Sequence, residues 1–105
     1  IATPGDHGQP QSIHQVLTRR YGEGLHIQAA IEAPRMRHDE GRAVMIESRA
    51  PAEWFEAVRQ SGYDPVDIGA WSRLAGGVNA IERNPDGLLL AGADPRRACY
   101  AVSAE

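Results

Sequence analysis

The sequence predicts an α+β domain, with helices packed on a mostly antiparallel sheet. Three observations predict it. Apolar residues recur at helical spacing in the first third of the chain, the period changes to alternation after residue 42, and the final third holds a hairpin marked by proline and glycine.

The first helix is expected from about Gln9 to Tyr21, where Ile13, Val16 and Leu17 make an apolar face between Gln11, His14, Gln15 and Arg19. Pro10 falls in its first turn, where a missing N–H costs little. Gly22 and Gly24 stop it, because glycine adopts the left-handed geometry of a helix C-cap. A second, shorter helix is expected in "HIQAAIEA", with Ile27, Ala30 and Ile31 on one face. It ends before Pro34, since the residue preceding a proline avoids helical angles. In "RAVMIES", Val44, Ile46 and Ser48 alternate with Ala43, Met45 and Glu47, which predicts a strand. A third helix begins near Pro51 in "PAEWFEAVRQSG" and stops at Gly62, and "DPVDIGAW" reads as another short strand. In "GGVNAIERNPDGLLLAGA", two β-like runs flank Asn84-Pro85-Asp86-Gly87, which suits a type I turn. The predicted order is α, α, β, α, β, β, β.

The totals narrow the function classes. At 105 residues the chain is one small domain, 1–105, with 42% hydrophobic and 24% charged residues. Acids outnumber bases 14 to 11, so the net field of −3 does not favour nucleic acid or anionic lipid. No apolar run has transmembrane length. A single cysteine, Cys99, excludes an internal disulfide and a multi-cysteine metal cluster. The opening "IATPGD" reads as the interior of a longer polypeptide.

Candidate chemistry is sparse. His7, His14, His26 and His38 lack the spacing and the accompanying acid of a known ligand set, so neither metal nor cofactor is expected. Ser12, Ser48, Ser61, Ser72, Ser103 and Cys99 carry no nucleophile-elbow motif. The loop "ATPGDHGQPQ" is different: a glycine turn entering a helix presents free backbone N–H groups and the positive end of the helix dipole, which suit an anion. It lacks the lysine and hydroxyl residue of a phosphate loop, and Asp6 would repel phosphate. A single developing oxyanion, needing only two donors, is the better guest. Two further polar clusters, "GADPRR" and "EAPRMRH", read as architecture, the first an arginine ion pair after a strand and the second cations at a helix C-terminus.

In this order, "TPGDHGQPQSIHQVL", "AIEAPRMRHDE" and "GAWSRLAGGVNAIERNPDGLLLAGADPRR" resemble the C-terminal part of the small subunit of gamma-glutamyltransferases (gamma-glutamyl transpeptidases), members of the N-terminal nucleophile hydrolase superfamily. The resemblance runs from Ile1 to about Tyr100. It rests on three separated motifs, a Pro-Gly loop entering a helix, Ala-Pro-Arg after a second helix, and a closing Asp-Pro-Arg.

The resemblance implies a share of a four-layered αββα sandwich, and a precursor that cleaves itself into a large and a small subunit. It implies that an N-terminal threonine attacks the gamma-glutamyl amide of glutathione or a related compound and passes the acyl group to water or an amine. That threonine lies upstream of the segment covered here, and Thr3, being internal, has no free amine to act as its base. The chain is therefore expected to be inactive alone, to partner the large subunit and the rest of the small subunit, and to self-associate when detached. Family members of bacterial type imply a periplasmic or cytoplasmic location. The family's Pro-Gly-Gly loop resembles an oxyanion hole. Here Pro4 and Gly5 match, Asp6 stands at the second glycine, and the expected site is the backbone amides of Gly5 and Asp6. "HGQPQ" resembles the gamma-glutamyltransferase-like or acylase-like branch. The alternative from another class is a non-catalytic binding or interaction domain.

Overall fold

Helix α1 (Gln9–Leu17) follows a 3-10 turn (Asp6–Gly8) and runs on into a π-helical turn over Thr18–Gly22. The structure is a computed structural model and describes residues 1–104. The single helix predicted to about Tyr21 thus changes geometry in its last turns. In this wider turn the amides of Glu23 and Leu25 donate to Thr18 and Arg19 at 3.1 and 3.0 Å. Arg19 points inward, where its Nη2 donates to the Pro34 carbonyl at 2.5 Å, and Arg20 points outward to clasp Glu82.

Helix α2 (Ile27–Glu32) is capped by His26, whose Nδ1 accepts from the Gln28 amide. It ends at Ala33, already extended at ψ 148° before Pro34. Helix α2 lies on a hairpin, β4 (Asn79–Arg83) and β5 (Leu89–Ala93), and Val16 of α1 joins the same core. Val16, Ile27, Ala30, Ile31, Val78 and Ala80 form this core. Gly92 makes the contact possible, since a Cβ there would stand 2.6 Å from Cδ1 of Ile31. The hairpin turn is the one predicted: the Gly87 amide donates to the Asn84 carbonyl at 2.9 Å, and Gly87 has φ +88°.

The remaining strands form a second sheet in the order β1 (Met36–His38), β2 (Ala43–Ile46), β3 (Asp64–Asp67). β1 and β2 are antiparallel, and β2 and β3 are parallel. A parallel neighbour needs a crossover, which α3 (Ala52–Gln60) supplies. Val44, Ile46 and Ala50 form a second core, closed by Met36, Trp54, Phe55 and Val58.

The predicted α+β class is therefore observed, and three of the four strand pairings, counting an isolated bridge between Ala2 and Asn79, are antiparallel. The strands divide between two sheets rather than one. β1 was not predicted, because three residues with two polar side chains show no alternation.

Three glutamine side chains join helices to strands in the same way. The Gln11 amide accepts from the His38 N–H and donates to its carbonyl, both at 2.8 Å. Gln15 does so with Met36 at 3.0 and 2.8 Å, and Gln28 with Ala93 at 3.0 and 2.9 Å. A primary amide has the donor and acceptor of a peptide unit, so Gln11 and Gln15 act as a surrogate strand along the outer edge of β1.

Candidate functional site

The loop Thr3–Gly8 is fixed at both ends. Upstream, Ala2 and Asn79 exchange two backbone hydrogen bonds of 2.9 Å. The Thr3 hydroxyl accepts from the Gly77 amide at 2.9 Å and donates to the Pro4 carbonyl at 2.9 Å. Downstream, the Ser12 hydroxyl donates to Ala75, a carbonyl that Arg35 also holds, at 2.6 Å. Gly76, at φ +97°, lets these groups converge, because a Cβ there would lie 2.8 Å from Thr3 Oγ1 and 3.0 Å from Ser12 Oγ.

Between those ends the chain turns sharply. Gly5 has φ 133° and ψ 25°, and Asp6 has φ 48°, the left-handed region that Asp tolerates better than most residues. The Gly8 amide donates to the Gly5 carbonyl at 2.8 Å, and the Gln9 amide to the Asp6 carbonyl. The amides of Gly5 and Asp6 have no acceptor among the described residues. Gly5 is half-buried and the Asp6 carboxylate is exposed, with no ion pair among the described residues. The loop thus presents two adjacent backbone donors at the start of a helix, a geometry suited to one oxygen anion.

The floor of the loop is cationic. A Cβ on Gly8 would lie 2.9 Å from both Cδ and Nε of Arg37 and 3.0 Å from its Cζ, so only glycine lets the guanidinium pack there. Grouped as it is with the other cations of "EAPRMRH", Arg37 is not marked by sequence spacing as different from Arg35.

Beneath the site lies a buried ionic network. Arg35, Glu47, Asp94 and Arg96 have side chains with no exposure to solvent. Arg35 pairs with Asp94, and Arg96 bonds Glu47 through Nη2 and Nε at 2.5 and 2.9 Å and Asp94 through Nη1 at 3.1 Å. The two arginines also take the last carbonyls of α2: Nη2 of Arg35 and Nη1 of Arg96 donate to Ile31, and Nη2 of Arg96 to Ala33. The architectural reading of both arginine motifs is what the structure contains.

Burial pushes the Glu47 carboxyl up, but the Arg96 guanidinium and the amides of Ser72 and Arg35 more than offset it and hold the group below its ordinary value. Asp94 is likewise raised by burial and lowered further by the Val78 amide, the Arg35 charge and the Arg96 amide. Arg35 is lowered by burial and by Arg96, with Asp94 opposing. Arg49 closes the cluster by stacking over Trp71, 3.4 Å from the ring centroid.

No group of His, Cys, Asp and Glu among the described residues is arranged to hold a metal ion, and no helix is long and apolar enough to cross a membrane.

The chain is a mixed helix-and-sheet fold whose close structural matches are N-terminal nucleophile hydrolases. The comparisons with known proteins carry this further. The family model for gamma-glutamyltranspeptidase matches residues 1–104, and the chain belongs to that family. It is similar to the glutathione hydrolase-like YwrD proenzyme of Bacillus subtilis, 32% identical over 99 residues, which is 90% of this chain and 19% of that protein. It is also similar to the oxamate amidohydrolase proenzyme of Klebsiella pneumoniae, 30% identical over 97 residues, 88% of this chain and 18% of that protein. Among solved structures, cephalosporin acylase from Bacillus halodurans superposes with a TM-score of 0.89 at 28% identity, covering 99% of this chain and 19% of that one. The chain spans about a fifth of the length of these curated relatives.

Proposed function

We propose that residues 1–105 are the C-terminal segment of the small subunit of a gamma-glutamyltransferase-like enzyme, which transfers or hydrolyses the gamma-glutamyl group of glutathione and related amides. The rest of the small subunit and a large subunit, released together from one autoprocessed precursor, supply the nucleophile and most of the substrate site. This chain supplies the oxyanion hole. As the threonine oxygen attacks the amide carbonyl, the carbonyl π electrons move to oxygen, and the amides of Gly5 and Asp6 receive that charge. The threonine α-amine takes the hydroxyl proton and returns it to the leaving amine. Collapse of the tetrahedral intermediate gives the acyl-enzyme, which water or an acceptor amine then releases.

The observation that carries this reading is the pair of unengaged amides at Gly5 and Asp6, in a loop whose flanks are both tied down. Thr3 supports the division of labour, because its hydroxyl is committed to Gly77 and Pro4 and its nitrogen is an internal amide. The names of the relatives support an amide-cleaving or acyl-transferring parent, since they include a glutathione hydrolase-like protein, an amidohydrolase and an acylase.

The test compares release of chromophore from a gamma-glutamyl anilide by the longer precursor, matured into two subunits, and by this chain alone. Turnover by the precursor and none by the chain is expected. Turnover by the chain alone, or a matured precursor silent on every gamma-glutamyl amide, contradicts the reading.

A further inference from the structure

Arg37 belongs to the second sheet, yet its guanidinium ends against the loop. Its position is set from three sides. Nη1 donates to the Leu74 carbonyl at 3.3 Å, and Nη2 reaches the Asp39 carboxylate at 3.4 Å. The third side is Gly8, where the absent Cβ leaves room for Cδ, Nε and Cζ. Nη1 also stands 3.9 Å from where a Cβ on Gly5 would be, so the charged group underlies the stretch that carries both proposed donors.

The charge is only partly answered inside the chain. The Arg37 side chain is 13% exposed, and its Nε is buried without an acceptor among the described residues. Its carboxylate partner is nearly half exposed and held through one long contact. A weakly paired, largely buried cation beside a half-buried loop keeps part of its field. Two effects follow for a negative charge forming at Gly5 and Asp6. The guanidinium prevents the loop from sinking toward β1, and its potential opposes that of the Asp6 carboxylate.

Resting on the oxyanion reading above, we propose that Arg37 is a positioning residue for the reaction, holding the Gly5 and Asp6 amides toward the developing oxyanion and offsetting the Asp6 charge.

The experiment uses the longer precursor after maturation into two subunits, with Arg37→Met, Arg37→Lys and wild type compared. Arg37→Met is expected to lower kcat by about tenfold to a hundredfold while KM changes little, since the contribution is made to the transition state. Arg37→Lys falls between them. Millimolar guanidinium restores part of the kcat of Arg37→Met, a rescue that a purely structural role would not give. Affinity for a gamma-glutamyl phosphonate, whose tetrahedral oxygens mimic the oxyanion, falls in proportion to kcat/KM, and affinity for free glutamate does not. A matured Arg37→Met enzyme with wild-type kcat overturns the inference. So does a loss of kcat that guanidinium does not restore and that glutamate affinity follows. The phosphonate adduct separates the two levels: an oxygen bound away from Gly5 and Asp6 overturns the oxyanion reading, and an oxygen on those amides with unchanged Arg37→Met kinetics overturns this inference alone.

Discussion

Arg96 and Glu47 meet in a double hydrogen bond, Nη2 to Oε1 at 2.5 Å and Nε to Oε2 at 2.9 Å, with both side chains fully buried. Glu47 follows β2 and Arg96 follows β5, so the pair ties one sheet to the other across the end of α2. Each carboxylate of the network also accepts backbone amides, Glu47 from Arg35 and Ser72, Asp94 from Val78 and Arg96. The two arginines thus complete a polar core beneath the loop.

Removing one partner leaves a buried charge uncompensated. Glu47→Gln and Arg96→Leu are each expected to destabilise the chain by about 3–5 kcal/mol. Urea midpoints for the single variants and for Glu47→Leu with Arg96→Leu test this. The double variant is expected to lose less than the sum of Glu47→Leu and Arg96→Leu made singly, because both ends of the Arg96–Glu47 pair go together.

The same network sets the acid limit. The Glu47 and Asp94 carboxyls are held below their ordinary values in the fold, so their contribution is fully present above the unfolded carboxyl pKa of about 4 and is lost as pH falls through the lower folded values. The urea midpoint should be level from neutral pH to about 5 and fall steeply below about 4. Glu47→Gln should flatten that acid limb. An acid limb as steep as that of the wild type would contradict it.

Asp6 combines two properties that its substitutions separate. Asp6→Gly removes both the left-handed strain at φ 48° and the carboxylate, while Asp6→Asn removes the charge alone. Asp6→Gly is expected to raise stability by about 0.5–1 kcal/mol. Both variants should raise kcat of the matured precursor several-fold. Thermal unfolding and steady-state kinetics read the two effects independently.

The glutamine surrogates predict a graded series. Gln15→Ala and Gln28→Ala each strand a partly buried N–H and C=O and should cost about 1–2 kcal/mol. Gln11→Ala, whose bonds are exposed, should cost less than about 1 kcal/mol. Chemical denaturation of the three variants gives the order directly.

In this chain the hairpin leaves Ile81, Leu88 and Leu89 more than half exposed. The chain alone is expected to self-associate through this face. Light scattering should show the loss of association in Ile81→Lys, and a wild-type chain that stays monomeric at high concentration would refute it.

Much of this architecture was legible in the sequence because it depends on local physics. The stop at Ala33 follows from Pro34, the hairpin turn from Pro85 and Gly87, and the architectural character of "EAPRMRH" and "GADPRR" from their places after a helix and a strand, though not the buried network that joins Arg35 to Arg96. The unread parts depend on what lies opposite in space. β1 is defined by its neighbours, β2 on one side and the amides of Gln11 and Gln15 on the other, and neither glutamine differs in sequence from an ordinary polar helix residue. The π turn after Leu17 also has no marker, since its widened bonds place Arg19 against Pro34, a tertiary contact. Arg37 was hidden for a similar reason, because its significance comes from the missing side chain of Gly8, far away along the chain.

The most direct test of the account is the crystal structure of the matured precursor bearing a gamma-glutamyl phosphonate on its N-terminal threonine. The account predicts a phosphonyl oxygen about 2.7–3.1 Å from the amide nitrogens of both Gly5 and Asp6. An oxygen held by other donors, with those two amides left facing solvent, would contradict it.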